Sequence, residues 1–517
     1  MSKTYDLAIV GSGFAGSLLA MIARRIGLSV VMVEKGKHPR IVIGESSTPL
    51  TNILLEELSI RYELPALRSL SKWGTWQREH PEIACGLKRG FTFYHHDLKN
   101  PKKFPPSRDE QLLVAASPHD DIADTHWYRA DFDHLFVREA EKMGLVYYDE
   151  TDLACDFSHE NRVEFVGNRR GSCLCFSAEF VVDATGPRGF LHQSLKLGER
   201  ELPGLPRTQA LYSHFTGVTR LDDCAAAHLE VPPYPIDDAA VHHVFDGGWI
   251  WVLRFNNGVT SAGAAMTDEA ASQFRLSDGT EAWKGILQSI PVLRHCFRGA
   301  KAIQPFTHIP RLSFRSSSIA GPNWVLLPSA AGFVDPLMST GFPLTLLGVA
   351  RIAEILEARQ DSLDYETRLK EYAARTDAEL VATGGLIAAL YANMNNFQAF
   401  INVSLLYFAA ASFSETARRL GKSQLASSFL LYDHPEFGPE CSALLERAHN
   451  IQTEQDSFSY TEDVLCAIER INLAGLGKKD RRNWFPVEAA DMLDGHAKVE
   501  ASREDIVHLL QRCGFKF

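Results

Sequence analysis

The feature that most constrains this chain is its first turn. Asp6 to Val10 is a short apolar run, Gly11-Ser12-Gly13-Phe14-Ala15-Gly16 follows at once, and Leu18, Leu19, Ile22 and Ile26 then recur with the spacing of one helix face. A second apolar run, Ser29 to Val33, ends at Glu34. The result is strand–helix–strand with a GxGxxG turn and an acidic residue 18 positions beyond the third glycine. Gly11 permits the tight turn, Gly13 lets the backbone approach a pyrophosphate, and Gly16 lets helix and strand pack closely. The helix start, at Phe14 and Ala15, offers free N–H groups to phosphate, and Glu34, followed by Lys35, offers a carboxylate to ribose hydroxyls. The pattern predicts an α/β, Rossmann-like dinucleotide site.

The rest of the composition excludes more than it selects. At 517 residues the chain has room for two to four domains or one enlarged fold. With 53 basic against 64 acidic residues the net charge is -11, which argues against a dedicated nucleic-acid binder. Nine irregularly spaced cysteines with no CxxC suggest neither a disulfide framework nor a zinc site. The His95-His96 and His242-His243 pairs are adjacent rather than at ligand spacing, so no metal is expected. The N-terminus lacks a signal-peptide layout. Phe400 to Phe413 is shorter than the roughly 20 residues of a membrane span, so a buried helix, no membrane and a cytoplasmic location are expected.

Further along, residues 205 to 270 read as strands, with a hairpin turn at Asn256-Asn257-Gly258. Trp249 and Trp251, two apart, share a strand face. From about 343 onward the pattern is helical, and Phe397, Phe400, Tyr407 and Phe408 are candidate lining for a cavity beneath those helices. The basic Gly475–Arg482 run reads as a solvated loop.

Three segments besides the first turn carry a family resemblance: Phe180 to Gly186 (FVVDATG), Trp324 to Gly341 (WVLLPSAAGFVDPLMSTG) and Arg129 to Asp133 (RADFD). Together they resemble the FAD-dependent monooxygenase superfamily. Within it, Gly44 to Pro49 (GESSTP) is similar to the flavin strap of flavin-dependent halogenases, Leu87 to Phe93 to the segment bearing their lysine, and Gly248 to Trp251 to half of their WxWxIP signature. The likeness covers about residues 1 to 355.

The resemblance implies a Rossmann-like FAD-binding domain assembled from 1–100, 110–204 and 300–358, an inserted, mainly antiparallel β-sheet substrate domain at 205–299, and a helical region at 359–517. It implies cofactor contacts from Gly11, Gly13, Phe14, Ala15, Gly16, Glu34, Lys35, Glu45, Ser46, Ser47, Arg129, Ala184, Gly186, Ser329, Asp335 and Gly341. No second GxGxxG unit is present, so no separate NAD(P)H domain is expected, and the resemblance implies that FADH2 comes from a separate flavin reductase and reacts with O2 to a flavin hydroperoxide. Chloride or bromide held near Ser339, Thr340 and Gly341 would become hypohalous acid. Lys88 would hold it, as chloramine or by hydrogen bond, for transfer to an aromatic ring beside Trp249, Trp251 and Met338.

Two departures matter. Met338 stands where tryptophan halogenases carry a glutamate, which moves the expected substrate toward an electron-rich phenol, free or carrier-bound. Pro328-Ser329 stands where the superfamily has Gly-Asp, which predicts a weakened hold on the ribityl chain. A hydroxylating monooxygenase acting on a small aromatic or a protein side chain, an isoprenoid reductase and a relic FAD-binding module remain open alternatives.

Overall fold

The first forty residues form the elements their pattern predicts. Strand Lys3–Val10 runs into helix Phe14–Arg25, and Val30–Val33 returns beside the first strand in parallel. Its four residues are all buried, which explains an unbroken apolar run in place of alternation. In this computed structural model, which describes residues 3–102, 104–159, 161–224, 230–358 and 364–516, these strands centre an eight-stranded sheet. Ser172–Asp183, Trp324–Leu326 and Val146–Tyr148 extend it in parallel, so the strand ends at Val10, Asp183 and Leu326 meet along one edge.

A second, nine-stranded sheet is antiparallel through Thr208–Thr216, Val259–Thr267, Gly248–Arg254 and Ala240–Phe245. The predicted hairpin lies between Arg254 and Val259, with Gly258 at φ +81° closing the turn. The sheet extends beyond 205–299, however. Gly90–His95 pairs in parallel with Ala240–Phe245, Gln111–Ala115 pairs with Gly90–His95, and Trp484–Phe485 joins from the far end of the chain. Lys301–Ala302 and Thr307–Ile309 add the other edge. All three stretches assigned above to the FAD domain therefore also contribute strands to this sheet. Nothing local in FTFYH or QLLVA tells which sheet such a strand will join, because the partner strand belongs to a distant part of the chain.

Long helices Tyr365–Ala392 and Phe397–Arg419 cover the second sheet, followed by Phe437–Ala448, Glu454–Glu469 and Arg503–Arg512. The apolar run at 400–413 sits inside a helix of 23 residues, longer than expected. By length and composition it could cross a membrane, as could Leu337–Ala358, but 83% and 72% of their apolar windows are buried in protein. Both serve as core helices here.

Candidate active site

The nucleotide turn separates glycines the protein needs from one it does not. A Cβ on Gly11, at φ +102°, would lie 2.6 Å from the Ala184 carbonyl oxygen, and one on Gly16 would lie 2.1 Å from the Gly11 oxygen. Gly13 has no such constraint, since its nearest neighbour would be an Arg129 nitrogen at 3.6 Å. Its bare Cα, the uncapped start of Phe14–Arg25 and the Arg129 guanidinium fit a pyrophosphate. Glu34 stands beside them, accepting from the Ser12 and Gly36 amides. Burial opposes its ionisation, but Arg40 and those amides outweigh this and hold the carboxyl below its ordinary value. These residues fit FAD. Gly16→Ala is expected to yield protein that purifies without flavin, checked by the ratio of flavin to protein absorbance.

Lys35 lies elsewhere: it is solvent-exposed and paired with Asp152 at 3.5 Å, so its side chain does not join the cradle. Gly186, at φ +84°, has nothing within 4 Å of where a Cβ would sit, and Ser329 is partly exposed in the short turn Pro328–Ala331. The ring of Pro328 fills the space a Cβ on Gly348 would occupy, at 2.3 Å.

The strap at 44–49 is tied down at every residue that could steer it. Arg129 donates to the Gly44 carbonyl at 2.9 Å and holds Asp133 with two 2.8 Å hydrogen bonds. Glu45 turns away from the cradle, its Oε1 2.6 Å from His214 Nε2 on the second sheet, with both side chains buried. Ser47 donates to the Thr125 carbonyl, and Ser46 accepts from Lys88 Nζ at 2.9 Å.

Lys88 ends the short strand Cys85–Lys88, which pairs antiparallel with Asp124–Trp127. It is fully buried, donates also to the Ser47 carbonyl at 2.5 Å, and sits 3.8 Å from the centre of the Phe91 ring. Burial favours the neutral amine and drives its pKa down, with Asp124 partly opposing. Phe91 also lines an open cavity of about 120 Å³, together with Asp124, Tyr407, Phe408, Arg419 and Phe515, and Lys88 itself is not part of that lining.

Of the candidate lining residues, Tyr407 and Phe408 reach this cavity, whereas Phe397 packs on His95 and Phe400 on Phe93. Trp249, Trp251 and Met338 do not line it. Trp249 instead donates to the Tyr391 hydroxyl at 3.2 Å, which donates to Asp335 Oδ2 at 3.1 Å. Asp335 Oδ1 accepts from the Leu337 amide at 3.0 Å. Trp251 donates to the Ser261 hydroxyl at 3.3 Å.

That chain ends at the turn expected to hold halide. Met338 and Ser339 both take positive φ, 64° and 54°, a conformation costing about 1–3 kcal/mol per residue unless its surroundings enforce it. The Asp335 carboxylate on one side and the Tyr407 hydroxyl, donating to the Met338 carbonyl at 2.9 Å, on the other supply the enforcement. Thr340 and Gly341 then open helix Gly341–Ala358, and space beside the Gly341 Cα is free of protein within 4 Å.

The family model for tryptophan halogenase matches residues 125–400, just over half of the chain. The chain belongs to the tryptophan halogenase family. This halogenase is 28% identical to the monodechloroaminopyrrolnitrin halogenase PrnC of Pseudomonas fluorescens, over 74% of this chain and 66% of that protein. It is 27% identical to the tetracycline 7-halogenase of Kitasatospora aureofaciens, over 71% of this chain and 69% of that protein. Its fold matches halogenase PltM, solved with phloroglucinol and FAD, with a TM-score of 0.81 at 22% identity, covering 92% of this chain and 99% of that one. The family and these relatives make the chain a flavin-dependent oxidoreductase.

Two features of this region carry no signal in the sequence. Asp124 lines the cavity, and the Trp249–Tyr391–Asp335 chain braces the turn at 338–339. Burial pushes the Asp335 carboxyl up to about 7, against the pull of its hydrogen-bond donors. The folded protein therefore keeps a proton that the unfolded chain loses above its ordinary value of 3.8. The stability this lends is full below that value and is lost as pH rises through 7. Asp335→Asn removes the dependence, so wild type is expected to lose stability relative to the variant between pH 4 and 7, measured by denaturant midpoints across that range.

Proposed function

We propose that this family member halogenates a small, single-ring phenol, with Lys88 holding the halogen for transfer. The observation that carries the reading is the position of Lys88: its buried amine lies between the strap that flanks the cofactor and the Phe91 wall of the cavity. FAD held by Gly13, the start of Phe14–Arg25, Arg129 and Glu34 would, once reduced by a separate reductase, activate O2, and O2 would supply the two-electron oxidant that turns chloride or bromide into hypohalous acid. The amides of Thr340 and Gly341, at the positive end of an 18-residue helix, attract the halide. Lys88 then binds the hypohalous acid as a hydrogen-bond donor or, when neutral, through an N–halogen bond.

The substrate class follows from size and charge. A cavity of about 120 Å³ is close to the roughly 150 Å³ apolar cavity that accepts benzene, and too small for a fused polycycle without rearrangement. A phenol stabilises the developing charge through its own oxygen and so needs no carboxylate of the kind an indole cation requires. Phloroglucinol, the phenol bound to PltM, fits this chemistry. Relatives that halogenate pyrrole rings on a peptidyl-carrier protein show that a single ring also suits a tethered substrate.

The test is a panel of resorcinol, tyrosine, tryptophan and a carrier-bound pyrrole, incubated with a reductase, FAD, NADH, O2 and bromide and read by mass spectrometry. Bromination confined to the phenols is expected. Preferential bromination of tryptophan would overturn the substrate assignment.

A further inference from the structure

Asp124 is a buried carboxylate that the reaction as described above does not use. Its position is fixed by the register of a two-stranded ribbon, in which Asp124 stands directly opposite Lys88. Side chains of such a pair project from the same face. Asp124 is 5% exposed and contributes to the wall of the cavity beside Phe91 and Tyr407. Asn52 donates to Oδ1 at 2.8 Å. Oδ2 is buried and has no hydrogen-bond partner.

An unpartnered carboxylate oxygen in such a place is expensive to maintain. Lys88, the nearest candidate to satisfy it, spends its hydrogen bonds on Ser46 and Ser47 instead. Arg419, which also lines the cavity, is engaged by Glu415 at 2.9 Å. Asp124 thus lines a space sized for one aromatic ring beside the lysine, with one covered, unpartnered oxygen that a turn of the carboxylate would present to a bound ring.

We propose that Asp124 binds the substrate hydroxyl through Oδ2 and takes its proton as the ring is halogenated, a catalytic role that rests on the phenol-halogenase reading. In this step the O–H bond breaks and its proton passes to Oδ2. The electron pair left on oxygen moves into the ring, and the carbon ortho or para to it forms a bond to halogen as the halogen–oxygen bond of hypohalous acid breaks. The departing hydroxide takes the hydrogen from that ring carbon as a proton, giving water. The aromatic system re-forms as the proton on Asp124 returns to the substrate oxygen. One C–H bond and one hypohalous acid become one C–halogen bond and one water, and Asp124 ends unchanged.

Binding and turnover together test the assignment. Binding of resorcinol and of 1,3-dimethoxybenzene, which lacks the donor hydroxyls, is measured by calorimetry on the FAD-loaded wild type, Asp124→Asn and Asp124→Ser. Wild type is expected to prefer resorcinol by at least tenfold, and both variants to lose that preference. Resorcinol bromination is expected to fall about a hundredfold in the variants, while bromide-dependent oxidant trapped by a freely diffusing β-diketone stays within twofold of wild type. A wild-type preference near one overturns the proposal even if neither variant folds. So does an unchanged preference in a folded variant, which would leave Asp124 as a counter-charge for Lys88. If wild type produces no bromide-dependent oxidant, the halogenase reading fails instead, and the binding preference still decides whether Asp124 receives the hydroxyl.

Discussion

Lys88→Met is expected to lower halogenated product about a thousandfold while leaving flavin binding and oxidant formation near wild-type levels. Methionine matches the length of lysine and suits a site that is fully buried and faces the Phe91 ring at 3.8 Å. The substitution keeps the volume filled, but it takes the countercharge from Asp124 and the donor from Ser46 and Ser47, so a lower denaturant midpoint is expected and the assay is run on folded protein. What it removes is the amine that the proposal assigns to holding the electrophilic halogen, between the strap and Phe91. Product assayed by mass spectrometry, alongside oxidant trapped in solution, separates loss of transfer from loss of oxidant.

The pH profile of the wild type discriminates the two versions of that transfer. Burial lowers the lysine pKa, so the neutral amine becomes accessible near neutral pH. Transfer through an N–halogen bond requires that neutral form, and the single-turnover rate should then rise with pH across this titration. Transfer from hypohalous acid held by an ammonium predicts the opposite slope.

The second large effect concerns stability. Arg129→Ala strands the Asp133 carboxylate, which is fully buried and takes two hydrogen bonds from the guanidinium. Breaking a buried pair by removing one partner typically costs about 3–5 kcal/mol. The change also releases the Gly44 carbonyl and takes positive charge away from Gly13. The apo-protein is expected to unfold at markedly lower denaturant concentration and to bind FAD weakly. Arg129→Lys should recover only part of both, since an ammonium cannot make the paired contact.

Those two sites were legible for different reasons. Lys88 and the strap stand in segments whose order along the chain is itself a signature, and each residue of Gly44 to Ser47 makes a fixed contact in the fold. The first turn was readable because its chemistry is local: strand, glycines, helix and acid lie within 34 residues. Asp124 offered no such signal. Its surroundings, IADTHWYRA, look like an ordinary loop and strand, and its place in the site arises from pairing across 36 residues with Lys88 and from a helix nearly 300 residues on. The two tryptophans were placed correctly on one strand face, but the partner that explains Trp249, Tyr391, belongs to a helix whose packing no period reveals. The second sheet extends beyond residues 205–299 for the same reason, since its strands come from both ends of the chain.

The central claim is that oxidant made at the flavin leaves as hypohalous acid and ends on an aromatic carbon. It is tested most directly by supplying the FAD-loaded protein with a reductase, NADH, O2 and resorcinol, with and without bromide. Brominated resorcinol that appears only with bromide is the predicted result. Hydroxylated resorcinol formed at the same rate without bromide would contradict the account.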